Sequence, residues 1–236
     1  LRTQAKLSYN VSIGDDIELK FDLYRHGFDR SWEKLNGLSA PGVALDQVLR
    51  DPSNPRYTPF IELLNGTREW TGDPNERLLI GDNHRIYLSQ GAQGSGEWRT
   101  QGRGWGNRLQ LGVRFHQDQI EREHTERAFE MNSQRLISIG DSRSTRKNLG
   151  ETIALSASLF DEVKIGDRVR LTPGVRLERY QTTLIDTTPS QDSTTFKGEE
   201  LVLLPGVGGW LTLNDHVGLL VGAHRGFSPL SLDQTG

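Results

Sequence analysis

The sequence predicts an all-β chain: an antiparallel transmembrane β-barrel segment of about eight strands. Three observations predict it. Apolar and polar residues alternate with period two along several segments of about ten residues, as strands of such barrels do. The connections between these segments are alternately short and long. If consecutive strands are antiparallel neighbours, every short link falls at one end and every long loop at the other. Barrels of this class have short periplasmic turns and long extracellular loops. Finally, only 34% of the 236 residues are hydrophobic, below the roughly 45–50% of an average globular domain. A strand that is half hydrophilic, with lipid as its second apolar surface, produces such a value. A soluble β-sandwich alternates in the same way, with its polar side in water. Loop asymmetry and the low apolar fraction favour the barrel over it.

The elements follow in order. In residues 4–13, Ala5, Leu7, Tyr9, Val11 and Ile13 face one way, and Gln4, Lys6, Ser8, Asn10 and Ser12 the other. Gly14-Asp15-Asp16 is a tight-turn signal, and Ile17, Leu19, Phe21 and Leu23 open the second strand. Residues 27–83 read as a long irregular stretch holding one short helix at "VALDQVL". A glycine-rich third strand spans about 84–99, and residues 100–106 form a short polar link. The fourth strand sets Leu109, Leu111, Val113 and Phe115 against Arg108, Gln110, Arg114 and His116. Residues 118–146 are expected as a second long connection; "QDQIEREHTER" reads as a solvated helix or as strand extensions. The fifth strand covers about 147–160, and a short link leads to the sixth, "RVRLTPGVRLERY". A polar connection, "TTLIDTTPSQDSTTFKG", precedes the seventh, about 200–212. A short turn then leads to the eighth, 217–227.

Prolines interrupt two of these strands, in "LTPGV" and "LLPGV". Antiparallel register places Pro173 near Val207 and Pro205 near Val175. Each proline removes a ladder donor, so a local bulge is expected, relaxed by Gly174 and Gly206.

Composition excludes several function classes. The net charge of −3 gives no basic field for nucleic acid, so no nucleic-acid partner is expected. There is no cysteine, which removes disulfides and thiolate metal sites. The six histidines (His26, His84, His116, His124, His216, His224) show no zinc spacing. The glycine-rich stretches lack the Gly-Lys-Ser/Thr ending of a phosphate loop, and no Gly-x-Ser-x-Gly elbow is present. No cofactor and no catalytic residue is expected. No run approaches the ~18 apolar residues of a membrane helix. Tyr24, Phe28, Phe115, Tyr180 and Phe227 are expected in an aromatic girdle near the outer rim. Trp32 and Trp70, in the long stretch, contact a ligand or pack the loop.

Residues 148–229 resemble the middle barrel strands of TonB-dependent outer-membrane receptors. The resemblance rests on Thr172-Pro173-Gly174-Val175-Arg176-Leu177-Glu178, on Leu204-Pro205 with Gly208, on Asn214, and on Arg225-Gly226-Phe227-Ser228-Pro229. "NLGETIALSASLFDEVKIGDRVRLTPGVRLE" is similar to the family's preceding strand pair, and "LYRHGFDRSWEKLNG" resembles its ferric-citrate-type members. The resemblance implies a transporter of a ferric chelate, siderophore or ferric citrate, in the bacterial outer membrane. It implies energy supplied by TonB through a plug region. It also implies that 1–236 is part of one barrel domain whose plug and C-terminal strands are absent. Family ligands bind at the extracellular mouth, which points to Arg114, His116, Arg176, Glu178 and His224. Arginines attract an anionic chelate and grip carboxylates bidentately. The competing role for each is a lumen residue paired with a neighbour. The rivals are a passive outer-membrane channel and a soluble extracellular β-sandwich module.

Overall fold

The computed structural model describes residues 1–189 and 191–228. They form one antiparallel sheet of nine strands in the order β1-β2-β4-β5-β6-β7-β8-β9, with β3 paired to β4 alone. The strands are β1 (Arg2–Ile13), β2 (Ile17–Arg30), β3 (Glu33–Leu38), β4 (Leu78–Gly102), β5 (Trp105–Asn132), β6 (Arg135–Ile165), β7 (Val169–Asp186), β8 (Thr194–Thr212) and β9 (Gly218–His224). Two short helices, α1 (Leu45–Arg50) and α2 (Thr58–Leu64), lie between β3 and β4. Apart from β2 and β3, which both pair with β4, chain neighbours are sheet neighbours, and β1 and β9 remain as open edges.

At one end the connections are tight. Gly14 (φ 61°), Gly104 (φ 81°) and Gly166 (φ 57°) take the left-handed conformation that these turns demand. In the β8–β9 turn, Asn214 Oδ1 accepts from the backbone N–H of His216 and of Val217, each at 2.9 Å. At the other end only the β2–β4 connection is long. The stretch expected as the second long loop is a hairpin, closed by the two residues between Asn132 and Arg135. β5 and β6 are 28 and 31 residues long, against the ~9–11 residues that cross a bilayer. The polar connection expected between the sixth and seventh strands is also mostly strand, with β7 and β8 paired as far as Asp186 and Thr194. Polar residues had signalled loop there because a strand outside the apolar zone alternates polar with polar.

The register assigns every side chain to a face. Leu7, Leu23, Ala92, Phe115, Leu155, Arg179 and Leu201 fall in one cross-strand row. Below that row, toward the tight turns, the same face carries Phe21, Val113, Leu111, Leu159, Leu177 and Leu203, all of them exposed. Trp98 and Trp105 extend this face to the turns and are exposed as well. The aromatic girdle is therefore not the expected set. Tyr24, Phe28 and Tyr180 lie on the opposite, polar face by register, and Phe227 packs on Tyr180 at 5.6 Å. Only Phe115 of the five sits in the apolar band. Counting aromatics near strand ends cannot assign faces; parity does.

Above the band, a polar strip crosses the same face. Arg25 Nη1 donates to Gln90 Oε1 at 3.1 Å, Gln90 Nε2 to Gln117 Oε1 at 2.8 Å, and Gln117 Nε2 to Glu151 Oε1. Higher still, the face turns apolar again and is covered. Leu38, Leu78 and Phe129 occupy one row, and Val48 of α1 with Phe60, Ile61 and Leu64 of α2 packs there. Val48 and Leu63 are fully buried. This small core is the protein's own, about 14 residues beyond the apolar band along β4, from Ala92 to Leu78.

The two prolines sit as the register predicted, Pro173 opposite Val207 and Pro205 opposite Val175. The expected bulge is absent from the β7–β8 register, which runs without a shift. In an antiparallel ladder the N–H and C=O of a residue point to the same neighbour. The carbonyl of Pro205 accepts from Arg225 N–H at 3.0 Å on the β9 side. The β6–β7 ladder skips Asp161 and Glu162, opposite Pro173. Each proline thus turns its missing donor away from the β7–β8 ladder.

Candidate ligand vestibule on the polar face

The polar face carries three clusters at three heights. Nearest the tight turns, charges of opposite sign alternate across five strands. Arg99 meets Glu18 at 3.2 Å and Glu97 at 2.5 Å; Arg108 lies 4.0 Å from Glu97 and 3.7 Å from Glu162; Arg170 lies 3.8 Å from Glu162. This belt neutralises itself.

At the height of the apolar band stand the residues singled out from sequence. Arg114 donates to the Tyr24 hydroxyl from Nε at 3.2 Å and from Nη2 at 3.0 Å. That hydroxyl lies 2.5 Å from His116 Nδ1, and His116 Nε2 lies 2.7 Å from Asp118 Oδ2. Tyr24 reaches β5 by crossing β4 at Gly91, where a Cβ would strike both the Phe115 carbonyl and the Tyr24 ring. Arg176 pairs with Glu178 at 3.0 Å, and Arg114 and Arg176 line one shallow polar groove with Lys20, Asp22 and Gln93. His224 stands apart on β9, exposed and opposite Gly206. The structure therefore joins Arg114 with His116 and Arg176 with Glu178. It places all four at mid-height and not at the strand tops, because the strands run on.

The third cluster, missed from sequence, lies higher. Arg30, Arg85 and Arg122 are direct cross-strand partners on β2, β4 and β5, and Asn148 continues the row on β6. His124 and Arg146 pair just above. Like charges directly opposite one another destabilise a sheet, so three arginines in register contrast with the alternating belt below. Arg30 lies over the Tyr87 ring at 5.8 Å, Tyr87 stacks on Phe28 at 6.0 Å, and Arg85 Nε is 3.4 Å from His124 Nε2. Asn148 is 2% exposed, and neither of its side-chain polar atoms has a hydrogen-bond partner among the described residues. Burial holds the His124 pKa below the usual imidazole value, and the charges of Arg85, Arg146, Arg122 and Lys34 add to the effect. Asp186, opposite Asn148, is the nearby carboxylate; hydrogen bonds from Thr188 hold its pKa low, so it stays ionised. The arrangement is a concentration of planar cationic donors beside a buried, unsatisfied amide. It suits an anion rich in carboxylate or other oxygen acceptors.

One signal in the sequence pointed here. Counting back from the Arg103-Gly104 turn, Arg85 falls opposite Arg122. The Arg30 partnership needed the β2–β4 register, which a long connection hides.

The family model described as TonB dependent receptor-like, beta-barrel, matches residues 2–236. The chain belongs to the TonB-dependent receptor β-barrel family. Comparison with curated proteins finds no match. Among solved structures, the unliganded ferric citrate transporter FecA matches with a TM-score of 0.68 at 16% identity, over 94% of this chain and 27% of that one. The siderophore receptor PiuA from Acinetobacter baumannii matches with a TM-score of 0.61 at 10% identity, over 91% of this chain and 30% of that one. The closed form of the ferric-catecholate import receptor Fiu from E. coli K12 gives 0.58 at 11% identity, over 94% and 32%. At these identities the likeness establishes the fold. The chain spans about a third or less of the length of these receptors. As part of such a barrel, its apolar band is the lipid-facing surface, its polar face the lumen wall, and its long-hairpin end the extracellular side.

Proposed function

We propose that this chain is part of the barrel domain of an outer-membrane receptor that takes up an anionic ferric chelate, of the ferric citrate or siderophore type. The observation that carries the reading is the row Arg30–Arg85–Arg122 on the lumen face, above the apolar band. Above the band the row faces the extracellular side, where it draws anions from solution and binds them through charge-assisted hydrogen bonds. The Arg114–His116 and Arg176–Glu178 groups lie deeper, on the path a released chelate follows. In this reading the receptor is a transporter and no catalytic residue is needed. The open sheet edges support placing 1–236 within one barrel domain, with the plug contributed by another part of the receptor. TonB then acts through that plug, and outer-membrane lipid surrounds the band.

The test is uptake and binding of ferric citrate by the whole receptor with Arg30, Arg85 and Arg122 changed singly to Gln. Each loss is expected to weaken binding about tenfold or more, the value of one charge-assisted hydrogen bond or better. Wild-type affinity in all three variants would sink the vestibule. Uptake that persists after the proton-motive force is collapsed would favour the passive channel instead.

A further inference from the structure

We propose that residues 33–77, the longest connection in the chain, form an external buttress for the β5–β6 hairpin and do not act as a lid over the vestibule. The first argument is the face on which they pack. Leu38, Leu78 and Phe129 belong to the same sheet face as the lipid-exposed band, and α1 and α2 pack against that row. Arg85 and Arg122 stand on the opposite face. The helices therefore cover the outside of the wall.

The second argument is how the segment is fastened. Its last turns grip the hairpin at its tip. Trp70 N–H donates to the Met131 carbonyl at 2.8 Å, and Ser133 N–H donates to Glu69 Oε2 at 2.7 Å. Arg77 Nε donates to Glu130 Oε1 at 2.9 Å, and Glu130 is buried. Lower down, Asn36 Nδ2 donates to Glu126 Oε2 at 2.9 Å; Glu126 and Glu130 share the sheet face of Arg122, so these two ties reach round the edge of the wall from the helices outside it. The segment is itself braced: Glu76, also buried, accepts from Arg68 Nη2 at 2.6 Å, Thr71 N–H at 3.0 Å and Thr71 Oγ1 at 2.7 Å.

The third argument is what the hairpin requires. Among the described residues, β6 loses its β7 partner above Asn148 and β5 loses its β4 partner above Phe129, so the tip, Glu130–Asn132 against Arg135–Ile137, is a ribbon of two strands. A two-stranded ribbon is marginal in water. Its turn residues, Ser133 (φ 49°) and Gln134 (φ 59°), are non-glycine residues in the left-handed region. Such conformations persist where surrounding contacts hold them. Glu69 supplies the contact at Ser133, and the bulges at His124/Thr125 and Glu126/Ala128 show how far this part of the ribbon departs from a regular ladder.

The experiment is hydrogen exchange on the whole receptor in lipid bilayers. Glu69→Ala and Arg77→Ala, separately and together, are compared with wild type. The buttress expects amides of 126–138 to exchange at least tenfold faster in the double variant, while amides of 109–115 in the lipid band keep their protection. Unchanged exchange at the hairpin overturns it. A second arm adds ferric citrate to the wild type, with binding followed in the same sample by tryptophan fluorescence. Unchanged exchange in 58–77 on binding supports the buttress; strong new protection there makes the segment a lid and overturns it. This arm alone rests on the vestibule reading. A sample that fails to bind counts against the vestibule, and the variant arm still decides the buttress.

Discussion

One face of this sheet meets two different surroundings. Low on the strands it is exposed, with Leu111 at 55% and Val113 at 65%. About 14 to 18 residues up the same strands, the face turns inward on the chain itself, and Val48 of α1 and Leu63 of α2 are fully buried. Between the two zones runs the hydrogen-bonded strip Arg25–Gln90–Gln117–Glu151. The chemistry of the side chains is similar above and below; what covers them is not. In the upper zone the protein supplies its own apolar partner because water would otherwise wet the face. In the lower zone a bilayer supplies it, so the chain need not. The strip borders the exposed band, as polar side chains do at the rim of a barrel's apolar belt.

Matched substitutions test this contrast most strongly. Leu63→Ala removes methyl groups from a closed core and leaves a cavity, so it is expected to destabilise the upper zone by about 2–5 kcal/mol. Leu111→Ala opens onto mobile acyl chains that refill the space, and is expected to cost about 1 kcal/mol or less on transfer grounds. Exchange rates of amides near each site in bilayers measure both. Equal effects would erase the distinction. Next in size, Val113→Lys is expected to cost about 2–4 kcal/mol in a bilayer, the value for a lipid-facing lysine near the midplane. The same change should be nearly silent where water reaches that face. Refolding titrations into lipid vesicles, compared with the exposed lumen-face change Gln110→Lys, would sharpen the assignment of faces.

The smallest effect concerns the lumen face at the height of the upper zone. His124 titrates below the ordinary imidazole value of 6.5, through burial first and the surrounding cations second. With the folded value depressed, the stability contributed by the neutral ring is complete above 6.5. It is lost as pH falls through the folded value. An anion seated among the arginines offsets their field and raises that pKa. Chelate binding is therefore expected to take up protons and to tighten as pH falls across this window. A full pKa unit corresponds to about tenfold, and the expected effect is smaller. Titration calorimetry in two buffers of different ionisation enthalpy measures the protons, and His124→Gln should abolish them.

Much of the fold was legible because its signal is local. Period-two alternation assigned Leu109–Phe115 and Arg108–His116 to opposite faces without any tertiary information. The tight turns at Gly14, Gly104 and Gly166 stood out for the same reason. The site was less legible. Arg114, His116, Arg176 and Glu178 were chosen as the last charged residues of recognisable strands. The strands continue through "EREHTERAFE", whose two faces are both polar and carry no periodic apolar signal. The arginine row lies in that silent part.

By itself the sequence determined the alternation, the hairpin turns, the facing of the two prolines and the family. All are set by residues within one strand or two joined by a short link. Only the tertiary structure decided where the strands end, which arginines share a row and what covers the upper face. Those depend on registers between segments separated by long connections, and on packing that brings Leu38 and Phe129, about ninety residues apart, into one core around Leu78. No local energy term encodes a pairing across that distance; the packing of the whole sheet selects it.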